Sequence, residues 1–322
     1  MAEGASLPVG AAGRAARQRG ARDNVNPNAN PAEPLADRLR DAIGRRQDLY
    51  VKVAGLRIRY WDVGEGSPVL LLHGLGVSAE AWLLNVDALA RRHRVLVPDL
   101  PGSGLSAKGG FAYSVEGLVK FVLDFLAATQ ADHVCLVGGS LGGLVALRTA
   151  LDHPDHVERL VLVDSAGLGR EIGIWFRFAS LPIIGRLASN PSERSAEEML
   201  LGILSNASEL PHDFAEAWTK VALGPEAMAT VRAAIRAGVD ALGQRKAVVL
   251  RKRLAEVRAP TLIVWGSDDP IFPVTHAVEA HRLIPGSVLR IFANCLHCPP
   301  FERHNEFNEL LLRFIEAPQE LI

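Results

Sequence analysis

The sequence predicts an α/β fold built on a mostly parallel, doubly wound sheet. Short apolar runs, of the kind that form strands buried on both faces, recur along the chain and alternate with helical patterns. Such alternation is typical of parallel sheets, in which a helix carries the chain back to the start of the next strand. One long connection, between Asp164 and Pro260, carries helical patterns without a clear buried strand.

The elements begin with a hairpin. Apolar and polar residues alternate from Val51 to Trp61 on either side of Gly55, which predicts two antiparallel strands joined by a turn. The buried strands predicted after the hairpin are residues 69–73, 95–97, 134–137, 160–163, 261–265 and 288–291. The helices predicted around them are residues 79–92, 115–129, 141–152, 274–283 and 304–316.

Composition shifts define the domain organisation that we predict. Residues 1–45 form an N-terminal tail, disordered or weakly ordered, because its first part is rich in Ala, Gly, Arg, Asn and Pro without a hydrophobic period. A short helix from Leu35 to about Ile43 ends this tail. Residues 46–168 and 256–322 form the α/β core. Residues 169–255 form a helical cap, since so long an insertion has to fold on its own and cover something.

Charge and apolar patterning narrow the class of function. The chain has 322 residues, and its 35 Lys and Arg against 36 Asp and Glu give a formal net charge of -1. This balance gives no indication of nucleic acid or an anionic membrane as a partner. No apolar run is long enough to span a membrane, and the N-terminus lacks the apolar segment of a secretory signal. We therefore expect a cytoplasmic protein.

The cysteines indicate neither a disulfide framework nor a metal site. Cys135, Cys295 and Cys298 are few and odd in number, which argues against a set of disulfides. The spacing of Cys295 and Cys298 is compatible with metal binding, but no second Cys/His pair completes a four-ligand site. We expect no metal and no cofactor.

The segment Gly138-Gly-Ser140-Leu-Gly142 carries the main indication of chemistry. It directly follows an apolar strand and opens a helical stretch, which is the context of a nucleophile elbow. In such a turn the small neighbours let strand and helix approach, so that the serine hydroxyl is exposed at the top of the sheet. The helix N-terminus behind it stabilises developing negative charge. The segment predicts Ser140 as a catalytic nucleophile.

A serine nucleophile requires a base, and the base requires an orienting acid. His297 lies just past the last predicted strand, at the carboxyl edge of the sheet where ligands bind in open α/β folds. His73 is better explained as a hydrogen-bonding residue of its own loop. For the acid, Asp268 and Asp269 follow one strand and Asp164 ends an earlier one, so three candidates stand.

Several motifs, in order, resemble the α/β-hydrolase superfamily over roughly residues 48–317. They are His73-Gly74-Leu-Gly76, similar to the oxyanion loop; Asp99-Leu-Pro-Gly-Ser-Gly104, similar to the turn after the next strand; Gly138 to Gly142, the elbow; Trp265-Gly-Ser-Asp-Asp269, the acid loop; and Cys295-Leu-His297, the histidine loop. The resemblance implies a triad of Ser140, Asp269 and His297, because the family's acid stands three residues past the glycine. It also implies oxyanion donors on the backbone N–H groups of Leu75 and Leu141.

The reaction that the resemblance implies is acyl transfer to Ser140. His297 takes the hydroxyl proton, Asp269 stabilises the imidazole, and water releases the acid from the acyl-enzyme. The leading substrate is a carboxylic ester with a lipid-like or small acyl group, since the cap is apolar. The expected partner is that small molecule, and a homo-oligomer is left open.

The first alternative is a carbon–carbon hydrolase of the meta-cleavage type. The run from Cys295 to Asn308 is similar to that group. The group tends to carry Asn where this chain has Gly139, Trp where it has Cys298, and Arg where Ala217 precedes Trp218. Polar and cationic groups at these three positions would stabilise a dienolate, and this chain lacks them. An alternative of another class is a non-enzymatic ligand-binding receptor on the same fold, against which the complete triad argues.

Overall fold

A computed structural model describes residues 34–181, 202–210, 218, 224–318 and 321. Its centre is an eight-stranded sheet with the strand order β1-β2-β4-β3-β5-β6-β9-β10. The strands of that sheet are β1 (Leu49–Val53), β2 (Leu56–Val63), β3 (Pro68–Leu72), β4 (Arg94–Pro98), β5 (Val134–Gly139), β6 (Val157–Val163), β9 (Thr261–Gly266) and β10 (Val288–Phe292). The short strands β7 (Val239–Asp240) and β8 (Gly243–Gln244) form a separate ladder.

The sheet is mostly parallel, which confirms the predicted fold class. Within the eight-stranded sheet, the antiparallel pairs among the described strands are β1 with β2 and β2 with β4. The chain places β4 on one side of β3 and β5 on the other, so the strand order reverses at β3. Leu72 pairs with Gly138, and Gly139 pairs with Val163. The carboxyl ends of β3, β5 and β6 therefore meet at the switch point, where ligands bind in open α/β sheets.

The predicted N-terminal hairpin is confirmed as β1 and β2. Its two turn residues, Ala54 and Gly55, have φ angles of 47° and 88°. Positive φ at both central residues gives a turn whose twist matches that of the two strands.

Helices cover both faces of the sheet. They are α1 (Leu35–Gly44), α2 (Leu83–Ala90), α3 (Val115–Thr129), α4 (Leu141–Asp152), α5 (Ile174–Ala179), α6 (Pro225–Gly238), α7 (Thr275–Leu283), α8 (Pro299–Glu302) and α9 (His304–Glu316). Val69 and Leu71 of β3 join the apolar cluster packed by α1, α2 and α9. Leu70 and Leu72 join the cluster packed by α3, α4 and α7. This alternation reflects the two-residue period of a strand.

Two helical predictions need adjustment. The predicted helix 79–92 is a 3-10 turn, Ala79–Trp82, followed by α2, because Trp82 has φ −104° and ψ 6° and leaves the helical region. The short helix expected from Leu35 is α1, which buries Leu39 against the core. Arg46, just after α1, pairs with Asp87 of α2. The predicted disorder of residues 1–33 falls outside the described residues.

The connection between β6 and β9 carries helices, as predicted, together with one unpredicted ladder. The described part contains α5, a 3-10 turn at Ala207–Glu209 and α6. It also contains β7 and β8, which pair antiparallel, and Gly243 at the start of β8 has a φ of 122°. Two-residue strands have no periodicity that a sequence could display. The boundaries between core and cap stay a prediction. None of the described helices combines the length and the apolar composition that crossing a membrane requires.

Candidate active site

Ser140 stands at a strained turn between β5 and α4. Its φ of 52° and ψ of −116° are unusual for a residue with a side chain. The surrounding backbone holds this conformation, since the Ser140 N–H donates to the Val163 carbonyl at 2.9 Å. The Ser140 carbonyl in turn accepts from the N–H groups of Gly143 and Ala166. Strain that is fixed from several sides in this way clusters at functional sites.

Two glycines of the elbow are required by close backbone contacts. A Cβ atom on Gly138 would lie 2.2 Å from the Gly142 carbonyl oxygen, and one on Gly142 would lie 2.3 Å from the Leu72 carbonyl oxygen. Gly139 is different, because a Cβ there would meet only the Trp82 ring, at 3.8 Å. The predicted supporting residues Gly138 and Gly142 thus let β5, α4 and β3 meet at the elbow.

The structure pairs His297 with Asp269. The Nδ1 atom of His297 lies 2.9 Å from Oδ2 of Asp269, and both side chains are buried, at 5% and 0% exposure. The other oxygen of Asp269 accepts the Ile271 N–H at 2.8 Å, which orients the carboxylate. Asp268 points elsewhere and accepts a hydrogen bond from the Ser267 hydroxyl. Of the two adjacent acids, Asp269 is the one that contacts the histidine.

Ser140 and His297 line the same cavity. The Nε2 atom of His297 is buried and has no hydrogen-bond partner among the described residues. An imidazole nitrogen left free in this way is available to a hydroxyl or to a bound substrate. Catalytic hydrogen bonds are often long in ligand-free structures and shorten when substrate binds.

Glu302 in α8 holds the histidine loop and was not predicted. Its carboxylate accepts the N–H groups of Leu296 and Cys298, on either side of His297, each at 2.9 Å. It also accepts the Ser205 N–H at 2.9 Å, from the connection between β6 and β9. The signal in the sequence was a glutamate five residues past the histidine, but only the fold reveals that its side chain turns back.

His73 fixes the backbone of the predicted oxyanion loop. Its Nε2 accepts the Leu100 N–H at 2.9 Å, so the proton of the neutral ring is on Nδ1, which donates to the Gly74 carbonyl at 2.7 Å. Burial lowers the pKa of His73 to about 4, so the ring is neutral near pH 7. The Gly74 carbonyl and the Leu75 N–H belong to one planar peptide and point in opposite directions. Holding the carbonyl therefore also orients the Leu75 N–H.

The other predicted oxyanion residue is equally close to the elbow. Leu141 follows Ser140 directly at the start of α4, and both Leu75 and Leu141 line the cavity. A Cβ on Gly74 would lie 3.0 Å from the Ser140 Cβ, which places this loop against the elbow. The sequence-predicted loops are thus brought together around one serine.

Asp164, the third candidate acid, lies beside the pair. It follows β6 with a φ of 41°, and its side chain is buried. One oxygen of Asp164, one of Asp269 and one ring nitrogen of His297 all lie within 4.8 Å of one another. Burial, and then the charge of Asp269, raise the pKa of Asp164 well above its usual range.

Side chains from the loops at the end of the sheet and from the connection between β6 and β9 form an apolar cavity over Ser140. Its polar side chains, among the described residues, are His73, Gln244, Ser140, His297 and the indoles of three tryptophans. Gln244 is bonded to the backbone of Gly167 and Gly169. The apolar lining includes Leu75, Leu144, Val163, Ile172, Phe176, Ile203, Val231, Ile235, Val248 and Phe272.

The two cysteines of the histidine loop carry no indication of a reactive site. Cys295 is buried, while Cys298 is half-buried and lines the cavity. Burial raises the pKa of both thiols well above the usual value. A thiol is a nucleophile or a metal ligand as the thiolate, so burial makes both roles unfavourable.

The chain is similar to known proteins over most of its length. The α/β-hydrolase fold family matches residues 67–304. An uncharacterised protein of Mycobacterium tuberculosis is 34% identical over 275 residues, covering 83% of this chain and 80% of the relative. A 2-hydroxy-6-oxo-2,4-heptadienoate hydrolase of Pseudomonas putida is 30% identical over 277 residues, covering 83% and 95%.

Solved structures extend the likeness to three dimensions. The meta-cleavage product hydrolase of Pseudomonas fluorescens IP01 has a TM-score of 0.70 at 27% identity, covering 84% of this chain and 98% of that one. Esterases and lipases are also among the similar structures. Since the family match spans most of the chain and the sheet has the corresponding architecture, this protein belongs to the α/β-hydrolase fold family and has hydrolases as its relatives.

Proposed function

We propose that this protein is a serine hydrolase that cleaves carboxylic esters through an acyl-enzyme on Ser140. One observation carries the proposal. The buried Asp269–His297 pair leaves the outer nitrogen of the imidazole free in the cavity that Ser140 lines. A nucleophile, a base and an orienting acid in this relation are the parts that acyl transfer requires.

In the proposed first step, His297 Nε2 accepts the Ser140 proton as the hydroxyl oxygen attacks the ester carbonyl. Asp269 accepts the hydrogen bond from Nδ1–H and stabilises the imidazolium that forms. The alcohol leaves with the proton returned by His297. Water, activated by the same histidine, then releases the carboxylic acid from the serine.

The oxyanion that forms in each step is assigned to the N–H groups of Leu75 and Leu141. The hydrogen bond from His73 to the Gly74 carbonyl fixes the orientation of the first donor before substrate arrives. Donors that are already oriented avoid reorganisation during the reaction, and losing one typically costs about 2.7–4 kcal/mol of barrier.

The lining of the cavity supports an ester with an apolar acyl group. No Lys, Arg, Asp or Glu occurs among the residues that line it in the described part of the chain. Burying a charged substrate group there would leave it without a compensating charge. A hydrocarbon chain would instead gain from leaving water, by about 0.8 kcal/mol for each buried CH₂.

Hydrolysis of a carbon–carbon bond is the second candidate. The names of the heptadienoate hydrolase and of the meta-cleavage product hydrolase favour it. A dienoate carries a carboxylate, for which the described lining offers no cation. We therefore place it second.

One panel of substrates separates the two candidates. Purified protein is assayed with p-nitrophenyl esters of increasing acyl length and with 2-hydroxy-6-oxo-2,4-heptadienoate, and active serine is labelled with a fluorophosphonate. We expect turnover of the esters and labelling of the serine, both lost in S140A, since loss of a nucleophile lowers kcat by about 10⁶-fold in another serine hydrolase. The matched control is S165A, because Ser165 is also buried at this edge but bonds its own loop.

The outcomes are distinct. Ester turnover that S140A loses and S165A keeps supports the proposal. Turnover of the dienoate alone overturns the ester in favour of the second candidate. A wild-type protein that the fluorophosphonate does not label contradicts the role of Ser140 altogether.

A further inference from the structure

Asp164 is a buried carboxyl group that the proposed mechanism does not use. It directly follows β6, and its N–H donates to the Val264 carbonyl at 3.0 Å. Its Oδ1 accepts the Gly266 N–H at 2.9 Å. Its Oδ2 is buried and has no hydrogen-bond partner among the described residues. An acceptor left unpaired in the interior is costly, whereas a protonated oxygen there becomes a donor.

The unpaired oxygen belongs to a group that lies next to the triad. Oxygens of Asp164 and Asp269 and a ring nitrogen of His297 lie within 4.8 Å of one another. Asp164 comes from the end of β6 and Asp269 from the loop after β9, and these strands are neighbours in the sheet. The histidine thus faces two carboxyl groups, of which one contacts it at 2.9 Å.

The charges around Asp164 disfavour a second anion. Asp269 and Glu302 are both close enough to repel a carboxylate at this position, and the neighbouring thiols of Cys295 and Cys298 are held protonated by burial. His297 is the other titratable group of this cluster. Two buried carboxyl groups so close to each other share one proton more readily than they both ionise.

We infer that Asp164 is a positioning residue of the site: a protonated carboxyl paired with Asp269 behind His297, able to replace Asp269 as the acid when that residue is removed. The inference rests on the proposed function for its catalytic part. Without Asp269, the main repulsion is gone, Asp164 can ionise, and its free Oδ2 can accept the Nδ1–H of His297. Asp164 also has a strained backbone, with φ 41°, of the kind that clusters at functional sites.

The kinetic test is a double-mutant cycle on ester hydrolysis with D164N, D269A and the double variant. Asparagine keeps an oxygen for the Gly266 N–H and resembles a neutral carboxyl. D164N alone should therefore change kcat/KM by less than about tenfold, which is less than the loss of a hydrogen bond to a charged group would cause. In another serine hydrolase, replacing the triad acid lowers kcat by roughly 10⁴-fold. D269A should lose less than this, because Asp164 takes over the role of the acid. The double variant should fall to that full loss.

Two results overturn the inference. One is a D164N variant that alone loses far more than tenfold while melting like the wild type, since an ionised Asp164 would then be required. The other is independence, in which D164N changes kcat/KM by the same factor with and without Asp269. The control is D268N, because Asp268 neighbours the acid but bonds Ser267; it should leave the activity unchanged in both backgrounds.

A second measurement does not depend on activity. The protein is labelled with ¹³C at its aspartate carboxyl carbons and examined by NMR at about pH 8. This pH is chosen because burial raises the pKa of another aspartate, Asp99, to about 7, so that Asp99 is mostly ionised at pH 8. One aspartate should still be protonated, and its signal should vanish in D164N but persist in D268N. Absence of a protonated aspartate, or its persistence in D164N, contradicts the pair even if the protein hydrolyses no ester. Failure of the proposed function would appear in a different experiment: the wild-type protein would show no ester turnover that depends on Ser140.

Discussion

The backbone N–H of His297 donates a hydrogen bond of 3.1 Å to the carbonyl of Ile203. Ile203 lies in the connection between β6 and β9 and also lines the cavity. Two residues further on, the Ser205 N–H binds Glu302, the carboxylate that holds the histidine loop. His297, the proposed base, is therefore held by the segment that covers the cavity as well as by the loop after β10, and its position depends on both.

Glu302 is the residue through which this dependence can be tested. In E302Q the amide nitrogen cannot accept a backbone N–H, so at least one of the three donors loses its partner. We expect a loss of about 1–3 kcal/mol in the free energy of unfolding, together with a fall in kcat that exceeds any change in KM, because His297 is less well positioned. Urea denaturation and steady-state kinetics measure the two effects. E309Q, at an exposed position of α9, is the control; equal behaviour of the two variants would refute the role of Glu302.

The elbow glycines provide a prediction about space. In G138A the new methyl group would lie 2.2 Å from the Gly142 carbonyl, and in G142A it would lie 2.3 Å from the Leu72 carbonyl. Both neighbours are backbone and cannot rotate away, so each variant should lose about 1–3 kcal/mol or more of stability and should react slowly with a fluorophosphonate. G139A, with its methyl group 3.8 Å from Trp82, should melt and react like the wild type. Thermal melts and labelling rates decide, and a G138A variant as stable as G139A would contradict the contact.

A buried ion cluster supports the other side of the site. Arg59 is fully buried, and its Nε lies 2.9 Å from Oδ2 of Asp99. Asp99 also accepts the N–H of Ala79, the residue that begins the helical segment after the oxyanion loop. R59M would leave this carboxylate buried without its cation, which typically costs about 3–5 kcal/mol.

Chemical denaturation measures that loss. R57M is the matched control, because Arg57 lies on the same strand with its side chain exposed; it loses only a contact with the Tyr50 ring and should change stability by about 1 kcal/mol or less. The double variant R59M/D99N should recover part of the loss, since the unpaired charge is then absent. Equal destabilisation by R59M and R57M would be evidence against the cluster.

The parts of the fold and site that the sequence predicted are those with a local signal. Val69 to Leu72 form a buried strand because every residue there is apolar, and both clusters confirm that both faces are covered. The turn at Ser140 could be predicted because its flanking glycines and the preceding strand are adjacent in the chain. The loop of His297 could be placed because it follows the last strand of a parallel sheet.

The parts that could not be predicted depend on contacts distant in the chain. Asp268 and Asp269 are neighbours, and the local pattern leaves both possible; the resemblance to the family, and not the pattern, selected the one that contacts His297. Glu302 acts through backbone groups of its own loop and of Ser205, which no periodicity displays. The unpaired oxygen of Asp164 is visible only once β6 and β9 lie side by side.

The neutral ring of His73 makes stability depend on pH with a definite sign. In the unfolded chain an imidazole takes up a proton near pH 6.5, whereas burial lowers the pKa of His73 to about 4 in the folded protein. Between these values the unfolded state binds more protons, so acid favours unfolding. The contribution of His73 is fully present above pH 6.5 and is lost as the pH falls toward 4, by about 3 kcal/mol in total.

H73N removes the titration while its amide can still donate to the Gly74 carbonyl. We expect it to be less stable than the wild type at pH 7, because the Leu100 N–H loses its acceptor, but to lose less stability between pH 6.5 and pH 4. Urea denaturation at a series of pH values measures both slopes. H153N is the control, since His153 lies just after α4 at a half-buried position outside the oxyanion loop, and this variant should keep the wild-type slope. Parallel slopes for H73N and the wild type would mean that His73 is already charged in the folded protein, and the proposed orientation of the Leu75 N–H would lose its support.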